Sequence, residues 1–302
     1  MDQRCTTRLS LLGATAGLGE VAHGDDHRHL LPPLPMTTGD LGHDLVLQLT
    51  LFAASLVANL LSALAGGGAG LVQLPVLILL GLPFPLALAT HKLASVALGV
   101  GATLRHARER SLNPRFAALI LLCGLPGVVL GAKVVLSVPT QLLTLMLAVL
   151  TIGLGLYSLA NPGLGTTSNM RQHDRRGLAV GGAGLFGIGV LNGSLTSGTG
   201  LFVTMWLVRW FGLDYSRAVA YTLILVGLFW NGTGALTLGL QGQISWRWLP
   251  MLLAGSITGG YLGAHLAIAK GSKVVKRAFE VLALAMGASL LAKAFLNHSG
   301  QA

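Results

Sequence analysis

Charge is scarce in this chain, and acid is the scarcest part of it. Charged residues are 10% of 302, with 10 Asp and Glu against 20 Lys and Arg. Soluble domains carry roughly 25% charge. No charge appears from Leu45 to Thr90, and further uncharged runs cover 116–132, 134–170, 177–208, 218–246 and 248–264. Apart from Glu280, near the start of the last apolar segment, no carboxylate falls within a segment. That argues against a buried carboxylate proton relay and against a high-charge cation site. The two cysteines, Cys5 and Cys123, have no framework spacing, so neither a disulfide scaffold nor a metal pair is expected. The runs do not alternate apolar with polar, which excludes a β-barrel reading. Neither HExxH nor GxSxG occurs, and the GxGxxG-like spacings lack a strand–turn–helix context. No catalytic residue, cofactor or metal site is expected.

Apolar length fills the space that charge leaves. Hydrophobic residues make up 53% of the chain, and the mean hydropathy is +0.71. A bilayer crossing needs about 20 mostly apolar residues, so several of the runs hold more than one crossing. The fold class is all-α, a polytopic membrane protein whose solvent is the lipid bilayer. The formal net charge is +10. The basic residues sit mainly in short loops between apolar runs, where membrane sorting places them, so nucleic acid is not an expected partner.

The order of segments divides the chain. Residues 1–44 read as a polar tail; its HGDDHRH at 23–29 reads as solvated rather than metal-binding. Five apolar segments follow within 45–160, a polar linker spans 161–177, five more segments occupy 178–296, and 297–302 is a C-terminal tail. The halves repeat. Gly68, Gly70 and Leu71 match Gly198, Gly200 and Leu201. After one residue of drift, Gly81, Leu82, Ala87, Ala89 and Gly101 match Gly212, Leu213, Ala218, Ala220 and Gly232. After one more, Arg115, Gly127, Leu130, Gly131 and Ala132 match Arg247, Gly259, Leu262, Gly263 and Ala264.

The loops orient these repeats. The loop near 105–115 carries four arginines, and its counterpart at 239–245 carries no charge. The loop near 137–139 is neutral, and its counterpart at 270–277 carries Lys270, Lys273, Lys276 and Arg277. Short cytoplasmic loops collect Lys and Arg. Equivalent loops therefore fall on opposite sides: the two five-segment repeats are inverted, and both termini come out on the non-cytoplasmic face. Each repeat begins with a helical hairpin broken by glycine.

Those breaks are the candidate site. Gly66-Gly67-Gly68-Ala69-Gly70 in the first half answers to Thr196-Ser197-Gly198-Thr199-Gly200 in the second. Each glycine costs a helix about 1 kcal/mol relative to Ala. Lipid cannot satisfy the peptide groups that a break sets free, so a break belongs in protein or on a polar cavity. Paired breaks in inverted halves point to a transporter's binding site, where helix N-termini attract anions. The expected substrate-binding set is Gly67, Gly68, Ala69, Gly70, Thr90, His91, Lys92, Asn192, Thr196, Ser197, Gly198, Thr199, Gly200, Tyr221 and Asn231. Lys92 is a charge about eight residues inside its segment and is expected to face the anion; its repeat partner is Leu223, as Thr222 is that of His91. From the residues alone the reading is an anion transporter. Its rivals are a passive anion channel and an intramembrane enzyme.

The stretch LAGGGAGLVQLPVLILLGLPFPLALATHKLAS resembles the first-half signature of the sulfite exporter TauE/SafE family. There a glycine-rich stretch, a proline, a Gly-x-Pro turn and an Ala-Thr-x-Lys-Leu stretch recur in that order. GVLNGSLTSGTGLFVTMWL, followed by FGLDYSRAVAYT, is similar to the family's second glycine motif. The likeness covers about 45–296. This chain departs by having His91 where many members carry Asn before the Lys. The resemblance implies a bacterial inner-membrane carrier that exports sulfite, organosulfonates or related sulfur anions; a homodimer is compatible with it.

Overall fold

The computed structural model describes residues 38–107, 109, 112–134, 140–169, 171, 174–194, 198–240 and 244–299. The 23–29 stretch, Thr196 and Ser197 lie outside them. The chain divides into two units, Met1–Leu41 and Gly42–Ala302. Of the first, only 38–41 are described, as helix.

Among the described residues every regular element is helical. They are α1 (Thr38–Ala65), α2 (Gly70–Leu79), α3 (Phe84–His106), α4 (Pro114–Val134), α5 (Thr140–Ala160), α6 (Arg175–Ser194), α7 (Thr199–Arg209), α8 (Tyr215–Tyr221), a π-helix (Thr222–Trp230), α9 (Asn231–Gly239) and α10 (Leu249–Ser299). Among the described residues five stretches are long and apolar enough to cross a membrane: Asp44–Ala65, Leu86–His106, Pro114–Lys133, Arg175–Ser194 and Tyr215–Thr237. The chain is a multi-pass helical membrane protein. Helix starts inside the stretch read as tail, at Thr38. Asp44, in its early turns, pairs with Arg247, which the apolar periodicity could not reveal.

Glycine stripes set two close helix pairs. On α10, a Cβ at Gly255, Gly259 or Gly263 would press on the carbonyls of Phe52, Leu56 or Leu60 of α1. On α4, a Cβ at Gly127 or Gly131 would press on the carbonyls of Phe186 or Val190 of α6. Small residues let backbones approach where lipid offers no hydrophobic drive to pack. Of these glycines, Gly127 of α4 answers to Gly259 of α10 and Gly131 to Gly263, the positions matched between the halves in sequence.

α10 changes direction at Gly271, which has φ 73° and ψ 177°. Beyond it, Lys276 Nζ donates to the carbonyls of Asn161 and Pro162. Glu280 Oε1 accepts from Ser158 Oγ at 2.8 Å and lies 3.8 Å from Lys276 Nζ. Both charged residues are buried. Glu280→Gln leaves the buried ammonium without its counter-charge. We expect it to cost about 2 kcal/mol, seen as a lower thermal midpoint of the purified protein in micelles.

Candidate functional site

The site is made by two helices that stop and restart. α1 stops at Ala65, where the N–H groups of Gly66 and Gly67 both return to the Ser62 carbonyl, at 2.8 and 2.9 Å. Gly66, Gly67 and Gly68 then take φ values of 85°, 150° and 102°, a region that residues with a Cβ rarely enter. α2 begins two residues later. In the second half α6 stops at Ser194, and α7 begins after Gly198, whose φ is 84°.

The two breaks touch. A Cβ on Gly67 would lie 2.7 Å from the nitrogen of Leu201 and 2.8 Å from the carbonyl carbon of Gly200. A Cβ on Gly200 would lie 2.9 Å from the Gly66 oxygen. Only bare backbone fits there. The N-terminal ends of α2 and α7 thus share one place. Their first N–H groups have no carbonyl within their own helix, and each end carries a partial positive charge. Behind them Met286 of α10 serves both breaks: its Sδ would meet a Cβ at Gly68, and its Cε one at Gly198.

A cavity of about 40 Å³ opens beside this contact. A water needs about 10–15 Å³ measured in this way, so the cavity holds a few waters or one compact ion. Of the residues singled out in the sequence, Gly67, Gly68, Ala69, Gly70, His91, Asn192, Gly198, Thr199, Gly200 and Asn231 line it. Ser62, Ser95, Thr222 and Gly227 line it too and were not on that list. Ser95 stands one helical turn after His91 and Ser62 one turn before Gly66, so their spacing was the available signal.

Lys92, Thr90 and Tyr221 stand elsewhere. Lys92 is 1% exposed, and its Nζ donates to the Asn192 carbonyl at 3.0 Å, in the last turn of α6. Gly234 of α9 leaves room for its ammonium. The charge therefore sits behind the Asn192 backbone and not on the cavity wall. Thr90 Oγ1 donates to the Leu86 carbonyl and accepts from the Ser245 N–H. The Tyr221 hydroxyl accepts from the Asn113 N–H at 2.6 Å, and its ring packs edge-on against Phe116.

A buried hydrogen-bond chain fixes His91. Ser55 Oγ gives its proton to the Leu252 carbonyl at 2.7 Å, so it accepts from Gln73 Nε2 at 2.9 Å. Gln73 Oε1 then faces His91 Nδ1 at 2.7 Å, and that nitrogen carries the hydrogen. In the neutral ring Nε2 is left as an acceptor, with Ser95 Oγ 3.4 Å away. The other half has a smaller counterpart. Thr204 Oγ1 lies 3.0 Å from Thr222 Oγ1 and 3.1 Å from the Gly66 carbonyl.

Asn192 has one unused group. Its Nδ2 donates to Thr199 Oγ1 at 2.8 Å and reaches Asn231 Oδ1 at 3.5 Å. Its Oδ1 is buried and has no partner among the described residues. Because Thr199 Oγ1 accepts from Asn192, its own hydrogen is free to turn into the cavity. Among the described residues no cluster of His, Cys, Asp or Glu could hold a metal ion.

Helices that cross a membrane, two of them interrupted at one buried polar cavity, define a membrane transporter. The chain belongs to the sulfite exporter TauE/SafE family, whose match spans residues 51–290. It is similar to a probable membrane transporter protein of Haemophilus influenzae, 31% identical over 258 residues, covering 83% of this chain and 96% of that one. It is also similar to the probable membrane transporter protein ORF9 of a Sinorhizobium species, 31% identical over 80% of this chain and 91% of the relative. The probable membrane transporter protein YfcA of Escherichia coli K12 is 28% identical, over 80% and 88% respectively. No solved structure matches.

Proposed function

We propose that this transporter exports a small sulfur-containing oxyanion, sulfite or an organosulfonate, held between the two glycine breaks. The observation that carries this reading is the contact of Gly67 with Gly200, which turns the starts of α2 and α7 onto one polar cavity. Peptide N–H groups of both helices supply donors to the anion's oxygens, Thr199 adds a hydroxyl, and both helix dipoles favour negative charge. The break in the second half also brings the negative end of α6 close by. Lys92 on the Asn192 carbonyl offsets that end, so the positive ends dominate. In the first half the Ser62 and Gly66 carbonyls are occupied by N–H and hydroxyl donors.

The transport cycle is alternating access by two inverted repeats around this centre, as in other carriers with broken helices. The recurring glycine pairs of α1 with α10 and α6 with α4 support that symmetry. So do the corresponding Gln73–His91 and Thr204–Thr222 pairs. The arginine- and lysine-rich loops support a bacterial inner-membrane orientation with both termini outside the cytoplasm.

The test is uptake by proteoliposomes of sulfite, thiosulfate, sulfoacetate, taurine and chloride in turn. Saturable uptake and counterflow of at least one sulfur anion are expected. Large unitary currents carried by chloride would instead make the protein a channel.

A further inference from the structure

A second cavity lies away from the glycine breaks, between α4 and α6. It is an open groove of about 480 Å³ with apolar walls, within the range of small-ligand sites, about 300–1,000 Å³. Leu122 and Phe186 flank it and are 75% and 39% exposed. The two helices run in the same direction: Gly182 faces Leu119 and Cys123, and Gly193 faces Val128 and Ala132.

The walls end in charge. The helical repeat puts Leu119, Leu122 and Pro126 on one face of α4 and, one turn before them, Arg115. It puts Leu178, Gly182 and Phe186 on one face of α6 and, one turn before them, Arg175. Both arginines are exposed, and both stand at the same end of the groove. Eleven positions separate each from the far end of its wall, about 16 Å of helix. One leaflet supplies about 15 Å of the hydrocarbon core. A groove at acyl-chain depth thus sets its arginines at headgroup level.

These arginines are not spent on protein. The ion pairs among the described residues engage Arg105, Arg217 and Arg247 instead. The other repeat makes the contrast. Arg247 answers to Arg115 in sequence, and Asp44 of α1 holds it. The repeat spacing puts Asp174 in the place of Asp44, yet among the described residues no ion pair joins Asp174 to Arg115. Arg176 adds a third positive charge beside that one acid.

We propose that this groove binds one anionic phospholipid, its phosphate between Arg115 and Arg175 and an acyl chain along the apolar walls. The guanidinium fork fits phosphate oxygens. A phosphatidylcholine offers the same chain, but its own cation faces the arginines. A phosphatidylglycerol brings the phosphate alone. Basic residues set between membrane helices at one surface are a known way to hold such headgroups. The site is separate from the cavity at the glycine breaks and stands whatever that cavity carries.

The test is native mass spectrometry of the purified, delipidated full chain, titrated in detergent with dioleoylphosphatidylglycerol or dioleoylphosphatidylcholine. The first phosphatidylglycerol is expected to bind about tenfold more tightly than the first phosphatidylcholine. Arg115→Gln with Arg175→Gln is expected to remove that preference; both side chains are exposed, so the fold stands. Ala183→Trp, which fills the groove, is expected to weaken the first phosphatidylglycerol about fivefold or more. Equal affinity of the two lipids for the wild type overturns the inference. So does a preference that survives the double substitution, since other residues then hold the headgroup. Unchanged binding by Ala183→Trp overturns it too, by reducing the arginines to a surface attraction. A dimer that only Ala183→Trp breaks apart would make the groove a face for a second copy instead.

Discussion

Lys92→Met is expected to weaken anion binding about a hundredfold and to abolish transport, while the protein still elutes as a monodisperse, fully helical species. The side chain is 1% exposed, and among the described residues its ammonium is held by the Asn192 carbonyl. A charge buried in a membrane protein without a counter-ion is costly and marks function by default. Two opposite unit charges about 6 Å apart at an effective dielectric of about 20 attract by about 3 kcal/mol, which is a factor of about 100. Met fills nearly the same space, so the fold loses one hydrogen bond and no volume. Titration of sulfite into both proteins reads the difference. Unchanged binding with unchanged uptake would remove the Lys92 charge from the mechanism.

Gly67→Ala is expected to damage both the fold and the site. Two costs coincide there. The backbone has φ 150°, and the added carbon meets backbone atoms of Gly200 and Leu201 at 2.7–2.8 Å. Backbone cannot swing aside as a side chain can, so α2 and α7 must part. A cost of about 3 kcal/mol follows from strain of this kind, together with loss of sulfite binding. Gly81→Ala is the control. It too has positive φ, 104°, but nothing lies within 4 Å of the added carbon. It should cost about 1 kcal/mol, the conformational part alone, and leave binding unchanged. Equal effects of the two substitutions would mean that the contact between the breaks does not matter.

Much of this was legible in the sequence, for identifiable reasons. Long uncharged runs fix helices in lipid, since little else satisfies the backbone there, and the described helices fall on those runs. The first glycine break was legible because four glycines in five residues disrupt a helix whatever surrounds them, and the second through its match to the first. The contact of Gly67 with Gly200 was not, since it is set by how α1, α2, α6 and α7 pack over long range. Lys92 shows the same boundary. Its place inside an apolar segment announced a buried charge, but the direction of its side chain depends on where α6 ends. Asn192 was named for its type and its place near the second break; that its amide would meet Thr199 and Asn231 depends on how two other helices pack.

The π-helix was wholly illegible. Thr222–Trp230, TLILVGLFW, is uniformly apolar apart from its first residue and carries no proline. Its wide turns bond to the fifth residue along, a geometry rare beyond single turns. Thr222 and Gly227 come from it, Asn231 follows directly, and Gly227 packs on Gly99 of α3. A helix wound this way has slack in its register. Drawing one residue back into ordinary winding turns everything downstream by about 100°, and the first side chain to be carried round is the amide of Asn231. The winding of this one rod therefore sets where Asn231 meets the cavity.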